Sequence, residues 1–276
     1  GMAYALSPVK QEPMLMDVNL MEKNMLERYI FGDMANPNVL TDYYARRHTI
    51  QYRSNFLLLA EQLYSLGRKA EAVKVLDRSM QLMPAETVMD YGDINPVDPF
   101  NSLNYNKAHN QFSYQGQEIR PLNGGILHEF VQLYYLLGQN KKAEALGQKI
   151  LDNYKTVIAY FEHSSVEFAG NADNAEDLIA VTDAMLKMRT SFKEQSSNGA
   201  KASAFSKDLE RTIQSLYKKV LPRIYTGLEQ AANENGEMGM GEGAYSSQLL
   251  NLQTYMGALA EHHGLIKAPV VNRQLA

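Results

Sequence analysis

The chain has 276 residues, no cysteine and a formal net charge of −4, from 27 Lys and Arg against 31 Asp and Glu. This length can bury a substantial core in one large domain or two small ones. The mild acidity excludes a global attraction to nucleic acid or anionic lipid, and the absence of cysteine excludes disulfides, thiolate zinc sites and a cysteine nucleophile.

The N-terminal segment, residues 1–20, shows little helical periodicity, so we expect weak structure there. Gly1 before Met2 is typical of a tag remnant, which suggests a piece cut from a longer protein. No apolar run reaches the roughly 20 residues that span a bilayer, and the signal-peptide pattern is missing. The sequence therefore predicts a soluble chain without direct membrane insertion.

Helical patterns begin after this segment. From Leu20 to Phe31 apolar residues recur at helical spacing, and the stretch GDMANPNV then breaks the helix. A further helical pattern begins at Thr41 and continues to Gly67, as one bent helix or as two.

A helix–turn–helix pattern follows in NFLLLAEQLYSLGRKAEAVKVLDRSMQLMP, from Asn55 to Pro84. The tetratricopeptide (TPR) repeat has a large apolar residue early in helix A, a Gly between helices, an Ala early in helix B and a closing Pro. Phe56, Gly67, Ala72 and Pro84 stand at these positions. The pattern predicts that Leu63, Ala72 and Leu76 are buried, because the two helices approach closely there.

A second copy appears in GGILHEFVQLYYLLGQNKKAEALGQKILDNY, with Gly138 at the turn. Tyr134 lies on its helix A face and Ala143 repeats Ala72, so both are predicted to be buried, whereas Lys155 replaces the closing proline. We predict an all-α fold of TPR-like hairpins stacked into a right-handed superhelix. Because about three repeats are normally needed for a continuous stack, a pair of ordinary helical hairpins is the alternative.

The predicted repeat region covers residues 21–195, with an inserted loop at 85–125 rich in Asn, Asp, Pro, Gly and Tyr. A segment this long without helical periodicity is expected to be irregular, and its aromatic residues favour order against the helices. Residues 196–276 are predicted to form C-terminal helices that complete or cap the stack, with an interruption at Pro222 and a flexible glycine-rich link before a last helix.

No catalytic motif stands out. The chain lacks HExxH, GxSxG and a phosphate-binding glycine loop, so we predict no catalytic residue, no metal site and no cofactor for this chain. In the insert, four acidic residues are candidates to converge on a cation or a sugar, although Asp is also an ordinary turn former. These residues are Asp90, Asp93, Asp98 and Glu118.

Basic residues gather just before the first hairpin, in ARRHTIQYR. Guanidinium groups bind carboxylates through paired hydrogen bonds. We therefore predict a ligand-binding surface for an acidic segment formed by Arg46, Arg47, Arg53 and Gln62. A solvated helix face with local ion pairs is the other interpretation of the same residues.

The order YRSNFLLLAEQLYSLGRKAEAVKVLDRSMQLMP, DYGDI and LYYLLGQNKKAEALGQKI resembles the C-terminal region of a bacterial family of large polytopic membrane proteins. The resemblance covers approximately Leu26 to Phe192. Those proteins carry a domain of unknown function in the membrane half and are similar to protein O-mannosyltransferases. The resemblance implies that any transferase chemistry lies in the missing half, and that this tail faces the periplasmic side, tethered to the inner membrane in the parent.

These observations lead to one main prediction for function. We predict a non-catalytic helical-repeat module that binds a protein or peptide segment along its A helices, because stacked hairpins present an extended surface. A second hypothesis is that the same surface packs on the parent's own membrane domain or on a second copy of the chain. A third hypothesis is glycan or small-molecule binding through the Asp- and Tyr-rich loop.

Overall fold

A computed structural model describes residues 17–39, 43–85, 112–114, 117–119, 126–169, 172–196 and 203–224, with 226, 227 and 230. These residues are mostly helical, which confirms the all-α class. The helices are α1 (Val18–Lys23), α2 (Tyr43–Ser65), α3 (Lys69–Leu82), α4 (Leu127–Leu136), α5 (Asn140–His163), α6 (Val166–Ala169), α7 (Ala172–Ser196) and α8 (Ala204–Ser215). The chain divides into two compact units, residues 1–91 with 129–143 and residues 92–128 with 144–276.

The first helix is shorter than its pattern predicts. Asp17 caps α1, because its carboxylate accepts a hydrogen bond of 3.0 Å from the backbone N–H of Leu20. A π-helical turn, Asn24–Arg28, follows directly, and Tyr29 is already extended. The helix therefore begins two residues before Leu20 and ends three residues before Phe31. Turns follow it, in agreement with the predicted break.

The first hairpin consists of α2 and α3, and α2 is a single helix. Its turn needs a residue in the left-handed region, and Gly67 has φ +76°. Gly67 N–H donates to the carbonyl of Tyr64 at 2.9 Å, and Arg68 N–H donates to the carbonyl of Leu63 at 2.8 Å. This pair of bonds is the Schellman motif, which satisfies the last carbonyls of a helix.

The second hairpin, α4 and α5, repeats that turn. Gly138 has φ +74°; its N–H donates to Tyr135 at 2.9 Å, and Gln139 N–H donates to Tyr134 at 2.8 Å. Each residue therefore lies 71 positions after its counterpart in the first hairpin. The two turns are the same in backbone conformation and in hydrogen bonding.

The same register matches the buried residues of the two hairpins, and the predicted burial of Leu63, Ala72, Leu76, Tyr134 and Ala143 is confirmed. Both members of each equivalent pair lie in the core. The pairs are Phe56 and Leu127, Leu59 and Phe130, Ala60 and Val131, Leu63 and Tyr134, Ala72 and Ala143, Val75 and Leu146, and Met83 and Tyr154.

The hairpins differ at their C-terminal ends. Helix α3 ends at Leu82, and Pro84 follows, which cannot continue a helix. The equivalent of Pro84 is Lys155, and α5 runs on to His163. The missing proline noted in the sequence thus accounts for a B helix of 24 residues in place of 14.

Part of the insert departs from the prediction of an irregular segment. The strands β1 (Phe112–Tyr114) and β2 (Gln117–Ile119) pair antiparallel, with Phe112 opposite Ile119. Aromatic and β-branched residues favour strands, and Phe112, Tyr114 and Ile119 are residues of this kind. The remaining calls on 86–125, including order against the helices, lie outside the described residues. So do the glycine-rich link, the last helix and residues 1–16.

The second unit contains a close contact between α5 and α8. A Cβ atom built on Gly147 would lie 2.6 Å from the ring of Phe205, so only glycine fits between these helices without displacement. Helix α8 is capped by Ser203 and passes into a second π-helical turn, Leu216–Val220. Residues 221–224 are again helical and include Pro222, so the helix continues through the proline, where the sequence predicts a kink or an interruption.

Candidate binding face of the A helices

The buried and outward sides of α2 are set by its helical period. Thr49, Arg53, Phe56, Ala60 and Leu63 recur at spacings of three and four residues, and all are buried. The outward side carries exposed and half-buried polar groups. These are Gln51, Glu61 and Ser65, which are exposed, and Ser54, Asn55 and Gln62, which are half-buried.

Arg53 belongs to the core, which corrects its prediction as an exposed ligand-binding residue. Its side chain has 0 % exposure. Nη1 donates to the sulfur of Met80 at 3.2 Å, and Nη2 donates to the carbonyl oxygen of Met83. Met83 caps α3, and the carbonyls at the end of a helix carry partial negative charge. The guanidinium therefore caps α3 from within the hairpin.

The other predicted site residues have different outcomes. The side chains of Arg46 and Arg47 lie outside the described residues, although both belong to α2. Gln62 is half-buried on the outward side. Arg53 therefore lies in the core, whereas the ligand-binding role of Gln62, Arg46 and Arg47 stays a prediction.

The A helix of the second hairpin presents comparable groups. Gln132, the equivalent of Glu61, is half-buried, as is Glu129, whereas Leu136 is exposed. From Thr49 onward α2 carries no cation except the buried Arg53, and α4 carries none. The described outward side thus combines amides and carboxylates, which donate and accept hydrogen bonds as the backbone of an extended peptide requires.

A polar cluster joins α3 to the second hairpin within the first unit. Asp77 accepts a hydrogen bond of 2.9 Å from the hydroxyl of Tyr134, and its other oxygen lies 2.5 Å from Nζ of Lys142. Burial of the ring, the Asp77 charge and this hydrogen bond all raise the pKa of Tyr134 above its ordinary 10.0. A phenol held neutral in this way is a hydrogen-bond donor rather than a general base. We therefore interpret the cluster as a structural contact that links α3 to the second hairpin.

We expect Tyr134→Phe to lower the free energy of unfolding by about 1 to 2 kcal/mol near neutral pH, because a hydrogen bond to a charged acceptor is lost. Above pH 10 the unfolded wild type loses the tyrosine proton while the folded chain keeps it. Wild-type stability should therefore fall as pH rises, and the difference between the two proteins should narrow. Denaturant titrations at several pH values test this.

Tyr64→Phe is the matched control, since Tyr64 is half-buried and its described contact is the ring contact with Lys69. This variant should unfold at nearly the wild-type denaturant concentration. If Tyr134→Phe had wild-type stability, and if its stability fell with pH above 10 as steeply as that of the wild type, the structural role of this contact would be contradicted.

The candidate metal ligands of the described residues are histidines and acidic side chains. There, no three His, Asp or Glu residues come together in a way that could hold a metal ion. His128 is buried, and Nδ1 of His163 donates a hydrogen bond of 2.8 Å to the carbonyl oxygen of Ala159 in its own helix. The side chains of the four acidic candidates in the insert lie outside the described residues.

Comparison with known proteins finds no family model, no curated protein and no solved structure that matches the chain. In the described residues, no helix combines the length and apolar character needed to cross a membrane.

Proposed function

We propose that the chain is a non-catalytic helical-repeat module that binds a protein or peptide segment along the outward side of α2 and α4. The observation that carries the proposal is the common register of the two hairpins, in which turns and buried residues recur after 71 positions. A repeated unit presents equivalent outward side chains at regular intervals, and this arrangement suits an extended ligand. TPR-like stacking into a right-handed superhelix is part of this proposal.

The polar content of this face supports peptide binding over apolar packing. Glu61 and Gln132 occupy equivalent positions and offer one carboxylate and one amide. Side chains of this kind hydrogen-bond peptide backbone as well as polar side chains. The resemblance to the polytopic membrane family further suggests a location on the periplasmic side, with the parent's own membrane domain as one partner. We propose no enzymatic activity for this chain.

Selection from phage-displayed random peptides, followed by calorimetry, tests the proposal. The double variant Glu61→Ala, Gln132→Ala should bind selected peptides about tenfold more weakly, since two hydrogen bonds of about 0.7 kcal/mol each are lost. Lys74→Ala, an exposed change on α3, is the control and should bind as the wild type does.

A second double variant, Arg46→Ala with Arg47→Ala, tests the basic character predicted for this face. Loss of affinity for acidic peptides that is greater at low salt would support it, because salt screens exposed charges. If no peptide is enriched, or if all variants bind equally, the proposed binding face is wrong.

A further inference from the structure

The second unit contains a strongly basic region, although the net charge of the chain is negative. Between residues 184 and 224 there are nine Lys or Arg and three Asp or Glu, although the whole chain has a net charge of −4. The surface effect of this excess depends on which charges are neutralised by neighbours and which face solvent. Helix α8 and the π-helical turn after it contain charges of both kinds.

The acidic residues of α8 are turned toward other helices. Asp208 contacts Lys155 and accepts a hydrogen bond of 3.0 Å from Gln148, both on α5, and the contact with Lys155 lowers the pKa of this carboxyl. Glu210 forms a two-bond ion pair with Arg189 of α7, at 2.7 and 2.9 Å. Both carboxylates are therefore paired with cations of other helices, and Asp208 also has an electrostatic interaction with Arg211.

Three exposed cations lie along α8 and the π-helical turn that follows it. Lys207, Arg211 and Lys218 are exposed and follow one another at four and seven residues, which places them along one face. Within the part of the chain that the structure describes, none of the three forms an ion pair. At 1.5 Å per residue, the row extends over roughly 16 Å. We call these three residues the basic row.

We propose that the basic row binds the anionic headgroups of a lipid bilayer surface, an interaction separate from the peptide-binding face proposed above. The row lies on a convex helix side, and the exposed residue between its cations is Gln214 rather than an apolar or aromatic group. Stable protein partners usually supply buried apolar anchors, and single-stranded nucleic acid is usually held by stacked aromatic rings. A charged lipid surface requires neither.

Electrostatics sets the strength and the conditions of this binding. A Lys or Arg near an anionic bilayer contributes about a factor of five to binding, or roughly 1 kcal/mol. Three cations thus provide a reversible attachment whose strength falls steeply with salt, because the surface potential decays within about 8 Å at physiological ionic strength. No insertion of the helix into the hydrocarbon is needed.

Co-sedimentation with lipid vesicles tests the inference, using vesicles of phosphatidylcholine alone and of phosphatidylcholine mixed with phosphatidylglycerol. The wild type should bind only the mixed vesicles and should be released by salt. The triple variant Lys207→Gln, Arg211→Gln, Lys218→Gln should bind them about 100-fold more weakly, from three factors of about five. Its circular dichroism should match the wild type, since all three side chains are exposed.

The matched control, Lys69→Gln, Lys74→Gln, Lys141→Gln, removes the same charge from exposed positions of the first unit and should keep vesicle binding. Equal loss in both variants would show that only net charge matters and would overturn the proposal. So would binding to polyuridylate or polyglutamate without binding to mixed vesicles, because the row would then select a polymer rather than a lipid surface.

Discussion

We expect Ala72→Glu to lower the free energy of unfolding by about 3 to 5 kcal/mol, because a carboxylate would be forced into a closed helix contact. Ala72 is fully buried in the second turn of α3, and its N–H donates to the carbonyl of Arg68 at 3.1 Å. The small side chain allows α2 to approach. Denaturation by urea, followed by circular dichroism, measures the effect.

Two further variants sharpen this test. Ala143→Glu changes the equivalent residue of the second hairpin and should destabilise by a similar amount. Ala70→Glu places the same side chain at an exposed position in the first turn of α3, where a negative charge is favourable, so it should cost nothing measurable. Similar unfolding of the Ala72 and Ala70 variants would contradict the repeat register.

The hairpins could be predicted because local residue chemistry determines them. A left-handed turn selects glycine, so Gly67 and Gly138 marked the ends of both A helices. Ala72 and Ala143 marked close helix contacts, because their small side chains let a neighbouring helix approach. Features of this kind depend on a few adjacent residues, and the two copies of the pattern supported each other.

The helical period predicts the buried position of Arg53, whereas its residue type alone predicts an exposed, ligand-binding side chain. Arginine is rarely buried without a partner, and its partner here, the carbonyl of Met83, is 30 residues away. No residue near Arg53 in the sequence indicates that contact. Nevertheless Arg53 lies three residues before Phe56 and seven before Ala60, on the buried stripe, and the helical period was the signal that placed it inside.

Long-range polar contacts could not be predicted from the sequence, because their partners are far apart along the chain. Asp77 contacts Tyr134, and its equivalent in the second hairpin, Gln148, contacts Asp208. In both B helices this one position joins the hairpin to a later helix. The side chains differ in charge, so comparison of the two sequence copies does not reveal the shared role, whereas the hydrogen bonds do.

The burial of Arg53 leads to the second large expected effect. Arg53→Ala should lower the free energy of unfolding by about 3 kcal/mol, because it leaves a cavity and removes the cation from the carbonyl end of α3. Arg53→Lys should recover part of this loss, since it keeps the charge without the planar fork. Arg53→Met should also cost less than alanine, because an apolar side chain of similar length fills the cavity.

Gln51→Ala, an exposed change two residues away on α2, is the control and should stay within about 0.5 kcal/mol of the wild type. The same proteins should be tested with the selected peptides in conditions where all are folded. If Arg53 only caps α3 within the core, the folded Arg53→Lys variant should bind the peptides with wild-type affinity. If Arg53→Ala instead kept its denaturation midpoint and lost peptide affinity, the residue would contact ligand as first predicted, and its interpretation as an internal cap of α3 would be wrong.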